Sequence, residues 1–175
     1  LLQTQWVLKI RVQRYDGKMS EVRPSFLRFF LAGDSLTTQC FYDSLFSYLP
    51  NSPTPVFIQA DTMKAPLQLP EGALKPVGFS QDESLIPYPH KVLDAYRLLH
   101  EYFVFPDKFK FLDIQYFSTA RADKYLDIYI PLADGSRADR FRINHTHFVL
   151  GCTPIINLFH KMSEPINLNY QSISY

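Results

Sequence analysis

The sequence predicts an α+β protein, with mainly antiparallel β-sheet and two substantial helices packed against it. Three observations point there: period-2 alternation in several short stretches, a 3.6-residue period in two longer ones, and no regular strand-helix-strand order of the kind that builds a parallel sheet. The 175 residues, 46% hydrophobic and 20% charged, are enough for one good core. No apolar run approaches the ~18 residues of a membrane span, and the N-terminus lacks a signal pattern.

Taken in order, Trp6, Leu8, Ile10 and Val12 alternate with Val7, Lys9, Arg11 and Gln13, as in a strand with one buried face. Asp16-Gly17 makes a turn, and Ser25 to Leu31, dense in Phe, reads as a second strand closed by Gly33-Asp34. Asp34 or Ser35 then caps a helix in which Phe41, Leu45, Tyr48 and Leu49 share a face opposite Gln39, Asp43 and Ser47. Val56 to Ala60 is a short strand, and the proline-interrupted stretch from Met63 to Pro76 has room only for short edge strands. Phe109 to Phe117 and Tyr125 to Leu132 read as paired strands, the second with Leu126, Ile128, Ile130 and Leu132 on one face. Asp134-Gly135 turns the chain toward further strands near Phe141 to Leu150 and Ile166 to Ile173.

Residues 1–175 are read as a single α+β domain. Segment 50–89, which holds most of the chain's 13 prolines, is read as a rigid, irregular connector between two lobes. The chain begins at Leu1 and not Met, with Trp6 already in a strand, so we expect it to be cut from a longer polypeptide.

The second helix carries the most information. Val92, Tyr96, Leu99 and Phe103 recur at i, i+4, i+7 and i+11, while Asp94, Arg97 and Glu101 fall opposite. Pro89 suits its first turn, and Pro106 forces Phe105 out of the helical region and ends it. The pattern predicts burial of the Leu99 face and solvation of the Arg97 face. Leu93, Leu98 and Tyr102 widen the apolar arc, so cover on more than one side is expected.

The run from Arg97 to Phe109, RLLHEYFVFPDKF, resembles the Y-R-L-L-x-E-Y-F-x-F-P-[DE]-K-F signature of the TssF family, also called VasA or ImpG, baseplate subunits of the bacterial type VI secretion system. Three further blocks agree in order: Leu27 to Asp34; Gly78-Phe79 with Asp82-Glu83 and Leu85 to Tyr88; and Gly151 to Phe159 with Glu164-Pro165-Ile166. The sequence departs from the family pattern at Ser80 and at Lys110, where an apolar residue is usual. The resemblance implies a structural, non-enzymatic wedge subunit of a contractile injection machine, without cofactor. It would act in assembly and in triggering sheath contraction through interfaces with TssG, a second copy of TssF and TssK. Spike-hub and sheath-ring components would lie nearby, in the bacterial cytoplasm at the inner face of the inner membrane.

Charge agrees with a protein partner more than with nucleic acid or a membrane surface, since the net charge is +1. It is uneven: the first 30 residues hold six cations, among them Lys9, Arg11 and Arg14, against two acids. These three are the candidate partner-binding residues, facing an acidic neighbour. The two cysteines, Cys40 and Cys152, do not make a disulfide framework.

Catalytic patterns are sparse. His145-Thr146-His147 would put two imidazoles on one face of a strand, the alternative reading being a small metal-dependent enzyme with Asp139 or Glu164 as a third ligand. The six glycines form neither a dinucleotide fingerprint nor a P-loop. Asp82-Glu83 reads as a locally pairing or capping dipeptide, and His100 as a half-buried, satisfied histidine. Aromatics make up 15% of the chain. Phe103, Phe105, Phe109 and Phe111 are more than one small sheet hides, which leaves some for a neighbouring protein.

Overall fold

The computed structural model describes residues 6–46, 53–88, 92–132, 143–159 and 161–162. Its elements are β1 (Trp6–Gln13), β2 (Phe26–Leu31), α1 (Ser35–Phe46), β3 (Phe57–Ala60), β4 (Leu67–Gln68), β5 (Leu74–Pro76), α2 (Asp94–Val104), β6 (Phe111–Gln115), β7 (Tyr125–Leu132) and β8 (Phe148–Leu150). Short 3-10 turns lie at Met19–Glu21, Gln81–Glu83, Pro106–Lys110 and His145–His147. The strands form two four-stranded antiparallel sheets, ordered β1-β7-β3-β4 and β5-β6-β2-β8, so the fold is α+β as the sequence predicts.

The alternation in β7 does what its period requires. Leu126, Ile128 and Ile130 are fully buried, and they join Phe29 and Leu31 of β2 and Leu112 and Ile114 of β6 in one hydrophobic cluster to which both sheets contribute. Asp34 caps α1 by accepting the Thr37 N–H at 2.8 Å. From that helix Phe41 and Leu45 enter the same cluster, Phe41 meeting Phe148 edge-on at 5.9 Å.

The proline-rich segment forms β4 and β5, each an edge strand and each in a different sheet, and Leu69, Ala73 and Leu74 from this segment lie in the shared cluster. The pairing expected between the strands near residues 109–117 and 125–132 is not formed. β6 pairs with β2 and β5, whereas β7 pairs with β1 and β3. Tyr116 takes φ +62°, turning the chain out of the sheet, and the link onward buries Ala122 and Thr119, so it is too long and too well packed for a tight hairpin. Each sheet is stitched by a cross-strand Arg-Asp pair, Arg11 with Asp127 at 2.7 and 2.8 Å and Arg28 with Asp113 at 2.8 Å twice. Tyr48 and Leu49, the Asp134-Gly135 turn and the strand expected at 166–173 lie outside the described residues.

Candidate interface on helix α2

In α2 the expected faces are exchanged. Arg97 and Glu101 are its buried residues, and Leu93, Tyr96, Leu99, Tyr102, Phe103 and Val104 are 48–75% exposed. At 100° per residue these six, with His100 among them, spread over about 200° of the helix. Apolar surface of several hundred Å² is thereby left in water, since an aromatic side chain alone offers roughly 150–250 Å². A monomer rarely leaves so contiguous a patch bare unless it serves binding.

The inversion has a physical cause in the loop beneath the helix. Residues 78–86 run irregularly and present backbone groups that need partners, and charged side chains of the helix satisfy them. Arg97 donates to the Phe79 carbonyl at 2.7 Å. The Glu101 carboxylate accepts the Leu85 N–H at 3.1 Å and the Ser84 hydroxyl at 3.0 Å, and also bonds the Lys108 ammonium. Arg97 lies 3.5 Å from Glu101 and 3.4 Å from Asp94, so two cations face two carboxylates. Glu101 and Lys108 are each 1% exposed, and such a pair survives burial only when, as here, further hydrogen bonds complete it. Burial alone pushes the Glu101 carboxyl up. The bonds from Lys108, Leu85 and Ser84 outweigh it, and the group sits below the ordinary carboxylate range.

Gly78 completes the seat. Its φ of +100° suits glycine, and a Cβ there would lie 2.9 Å from the Lys108 carbonyl oxygen. Glu83 closes the same loop as a capping residue, its carboxylate accepting the Gly78 N–H at 2.8 Å and the Ser80 N–H at 3.2 Å.

Both flanks of α2 are concave. Toward α1 lies a cavity of about 290 Å³ lined by Gln39, Tyr42, Phe79, Leu98, Tyr102 and Phe109. Its aromatic wall is continuous, with Phe109 at 5.1 Å from Phe79 and 5.9 Å from Tyr102. Tyr42 is 8% exposed, and among the described residues its buried hydroxyl has no hydrogen-bond partner. On the other flank Ser84 to Tyr88, Val92 and Arg97 border a wider groove, where the Tyr88 hydroxyl and His100 Nδ1 lie 2.8 Å apart. His100 is exposed, not half-buried.

Lys9 and Arg11 project from β1 onto Asp127 of β7, at 2.9 and 2.7 Å. Arg11 chiefly, against burial and with help from Lys9, holds the Asp127 carboxyl below its usual range. Arg14 lies beyond the strand and pairs with Glu21 at 2.5 Å. The structure thus brings Lys9 and Arg11 together and places Arg14 apart from them.

His145 and His147 are not on a strand. They lie in a 3-10 turn in which the Asn144 side chain accepts the Thr146 N–H at 2.9 Å, so the shared strand face required for two metal ligands is not formed. Asp139 and Glu164 lie outside the described residues, among which no group of three potential ligands comes together. No helix among the described residues is long and apolar enough to cross a membrane.

The buried charges were legible in part. Arg97, Glu101 and Lys108 all stand in the run that resembles the family signature, whereas the wide apolar arc was expected to be covered on more than one side and is instead largely exposed.

A family model described as "Type VI secretion system, TssF" matches residues 2–175. The type VI secretion system component TssF1 of Pseudomonas aeruginosa is 28% identical over 128 residues, which are 71% of this chain and 21% of that protein. A chain in a cryo-electron-microscopy structure of the type VI secretion system TssK-TssF-TssG baseplate subcomplex has the same fold, with a TM-score of 0.67 at 24% identity. That match covers 87% of this chain and 28% of the other. The chain therefore spans about a fifth of the length of the curated relative it matches. By the match over nearly its full length, this chain belongs to the TssF family of the type VI secretion system.

Proposed function

We propose that the chain is part of a structural baseplate wedge subunit that works without catalysis, through protein interfaces, in the assembly of the secretion apparatus and the triggering of sheath contraction. The single observation that carries this reading is the outward apolar face of α2, held rigid from beneath by the Arg97-Glu101-Lys108 cluster. A preorganised, uncharged face of this size suits a permanent neighbour within an assembly. By membership of the family, that neighbour is another baseplate component. TssG, TssK and a second copy of TssF are the proposed partners, with spike hub and sheath ring nearby and the assembly at the cytoplasmic face of the inner membrane. Within the longer protein we read residues 1–175 as one α+β unit.

Lys9, Arg11 and Arg14 form a second proposed contact. On β1 two cations share one carboxylate, which leaves net positive charge for an acidic neighbour. The test is co-purification of the full-length protein with TssG and TssK. Leu99→Glu with Phe103→Glu is expected to abolish the complex while leaving the fold intact. Reversal of Lys9 and Arg14, with Arg11 kept to hold Asp127, is expected to weaken it in a salt-dependent way. Full association of the α2 variant would remove the reading of that face.

A further inference from the structure

β1 ends the first sheet, and β8 ends the second. In an antiparallel pair alternate N–H and C=O groups point away from the partner, so half of those in β1 point away from β7. Among the described residues no backbone group bonds β1 on that side. A strand of 8 residues left open in this way invites another chain, and proteins commonly guard such edges with charged side chains, lysine above all. Here the cations of β1 give no such guard. Asp127 draws Lys9 and Arg11 over the neighbouring strand, at 2.9 and 2.7 Å, where Arg11 lies 3.7 Å from the Tyr125 ring centre and Lys9 5.5 Å from that of Tyr129. Both therefore lean away from the free edge. Along that edge a cleft of about 350 Å³ separates Leu8, Ile10 and Val12 of β1 from Phe29, Phe148 and Leu150 of the second sheet.

We propose that an extended segment of a neighbouring protein adds to β1 as a further strand, with alternate apolar side chains in the cleft and a carboxylate on the outward face beside Lys9 and Arg11. The alternation is imposed by the strand itself, because successive side chains point to opposite faces and the cleft offers its apolar wall to one of them. Charge selects the acid. On the outward face two cations share Asp127, a surplus of one positive charge, and the Asp127 side chain is only 5% exposed. Neighbouring acids do not cancel the surplus: Glu21 and Asp123 pair with Arg14 and Lys18 at 2.5 and 3.8 Å, and Asp16 lies past the end of β1. Among the described residues, the other titratable group bordering the cleft is His145, which adds no negative charge. The same surplus excludes a second copy of β1 as the occupant, since antiparallel pairing of two such strands sets four cations against two carboxylates. The added strand rests on the baseplate reading and deepens it, naming how the cationic strand meets its partner.

The test assembles the full-length protein with TssG and TssK. Hydrogen exchange read by mass spectrometry over residues 6–13 is expected to show roughly half of the amides protected in the free subunit and nearly all of them in the complex. Leu150→Arg sets a charge in the cleft from a side chain that is 45% exposed, so the free protein is expected to melt unchanged while affinity falls roughly tenfold or more. Lys9→Met keeps the apolar stem and removes the surplus charge, and a loss of about fivefold is expected at low salt with nearly none at high salt. Full protection of β1 in the free subunit overturns the added strand, because the edge is then filled by the protein's own chain. No gain of protection on assembly also overturns it, as does wild-type affinity at low salt in either variant, and in each case a complex that still forms leaves the baseplate reading standing. Failure of the unmodified protein to assemble removes the baseplate reading, and the added strand with it.

Discussion

Replacing Glu101 with Gln probes the electrostatic part of the α2 seat. Glutamine keeps Oε1 as acceptor for the Leu85 N–H and the Ser84 hydroxyl, but its amide N–H2 replaces the oxygen that faces Lys108 and Arg97, so both the negative charge and the acceptor between those two cations are lost. Because Glu101 and Lys108 are each only 1% exposed, the ammonium is then buried with no counter-charge beside it, a change that costs about 3–5 kcal/mol. Leu99→Ala is the control. Its side chain is 54% exposed, so truncation is expected to cost under ~1 kcal/mol, although amphipathic periodicity alone would rank the two substitutions the other way. A double variant, Glu101→Gln with Lys108→Met, removes the stranded charge while keeping the lysine's apolar stem, and most of the loss is expected to return. Urea unfolding followed by far-UV circular dichroism and the fluorescence of the single tryptophan gives the differences. A Glu101→Gln cost below about 1 kcal/mol, or a Leu99→Ala cost equal to it, would refute the inverted helix.

Three further expectations follow from other contacts. Glu101 and Asp127 both hold their protons less tightly folded than unfolded, so the stability they contribute is present above the ordinary carboxylate pKa of about 4 and drains away as pH falls through their lowered values. Melting temperature should be flat from pH 7 to 5 and drop toward pH 3; equal melting at pH 7 and 3 would contradict this. Gly78→Ala combines a left-handed φ with a clash against the Lys108 carbonyl and should cost about 1–3 kcal/mol, measured by the same urea titration. Replacing His145 and His147 together by Ala should change stability by under ~1 kcal/mol and leave metal content by elemental analysis unaltered, because the pair is read as a capped turn and not as ligands.

How far the sequence could be read depended on what each element packs against. β1 and β7 are visible because one face of each meets an apolar core, and alternation records that directly; β2 shows by its density of Phe, and β3 as a short apolar run between prolines and a turn. α1 was visible from Asp34 and its Phe41-Leu45 stripe for the same reason. The face of α2 was misread because periodicity reports that two faces differ and leaves open which is inside. The usual assumption, charge outward, fails when charges satisfy a loop's backbone. The pairing of β6 with β2 was hidden because strand partners depend on the path of a link, here turned at Tyr116. The histidine pair was misplaced because Asn144 caps a turn where alternation alone suggested extended chain. The cavity between α1 and α2 joins residues from 39 to 109 and has no local pattern at all.

The register of the first sheet also sets the order in which this protein can be made. Trp6 pairs with Leu132 and Phe57 with Tyr129, so β7 is the central strand on which both β1 and β3 depend. A ribosome delivers β7 more than a hundred residues after β1. Until then β1 has no partner from this sheet, and its backbone edge is open to other chains. Closing so large a loop is slow, and slow closure with bare strand edges is the condition under which nascent chains aggregate. The stage most sensitive to temperature or overexpression is therefore the interval before residue 132 emerges, and slower growth or a chaperone that shields β1 would raise the yield of the folded protein.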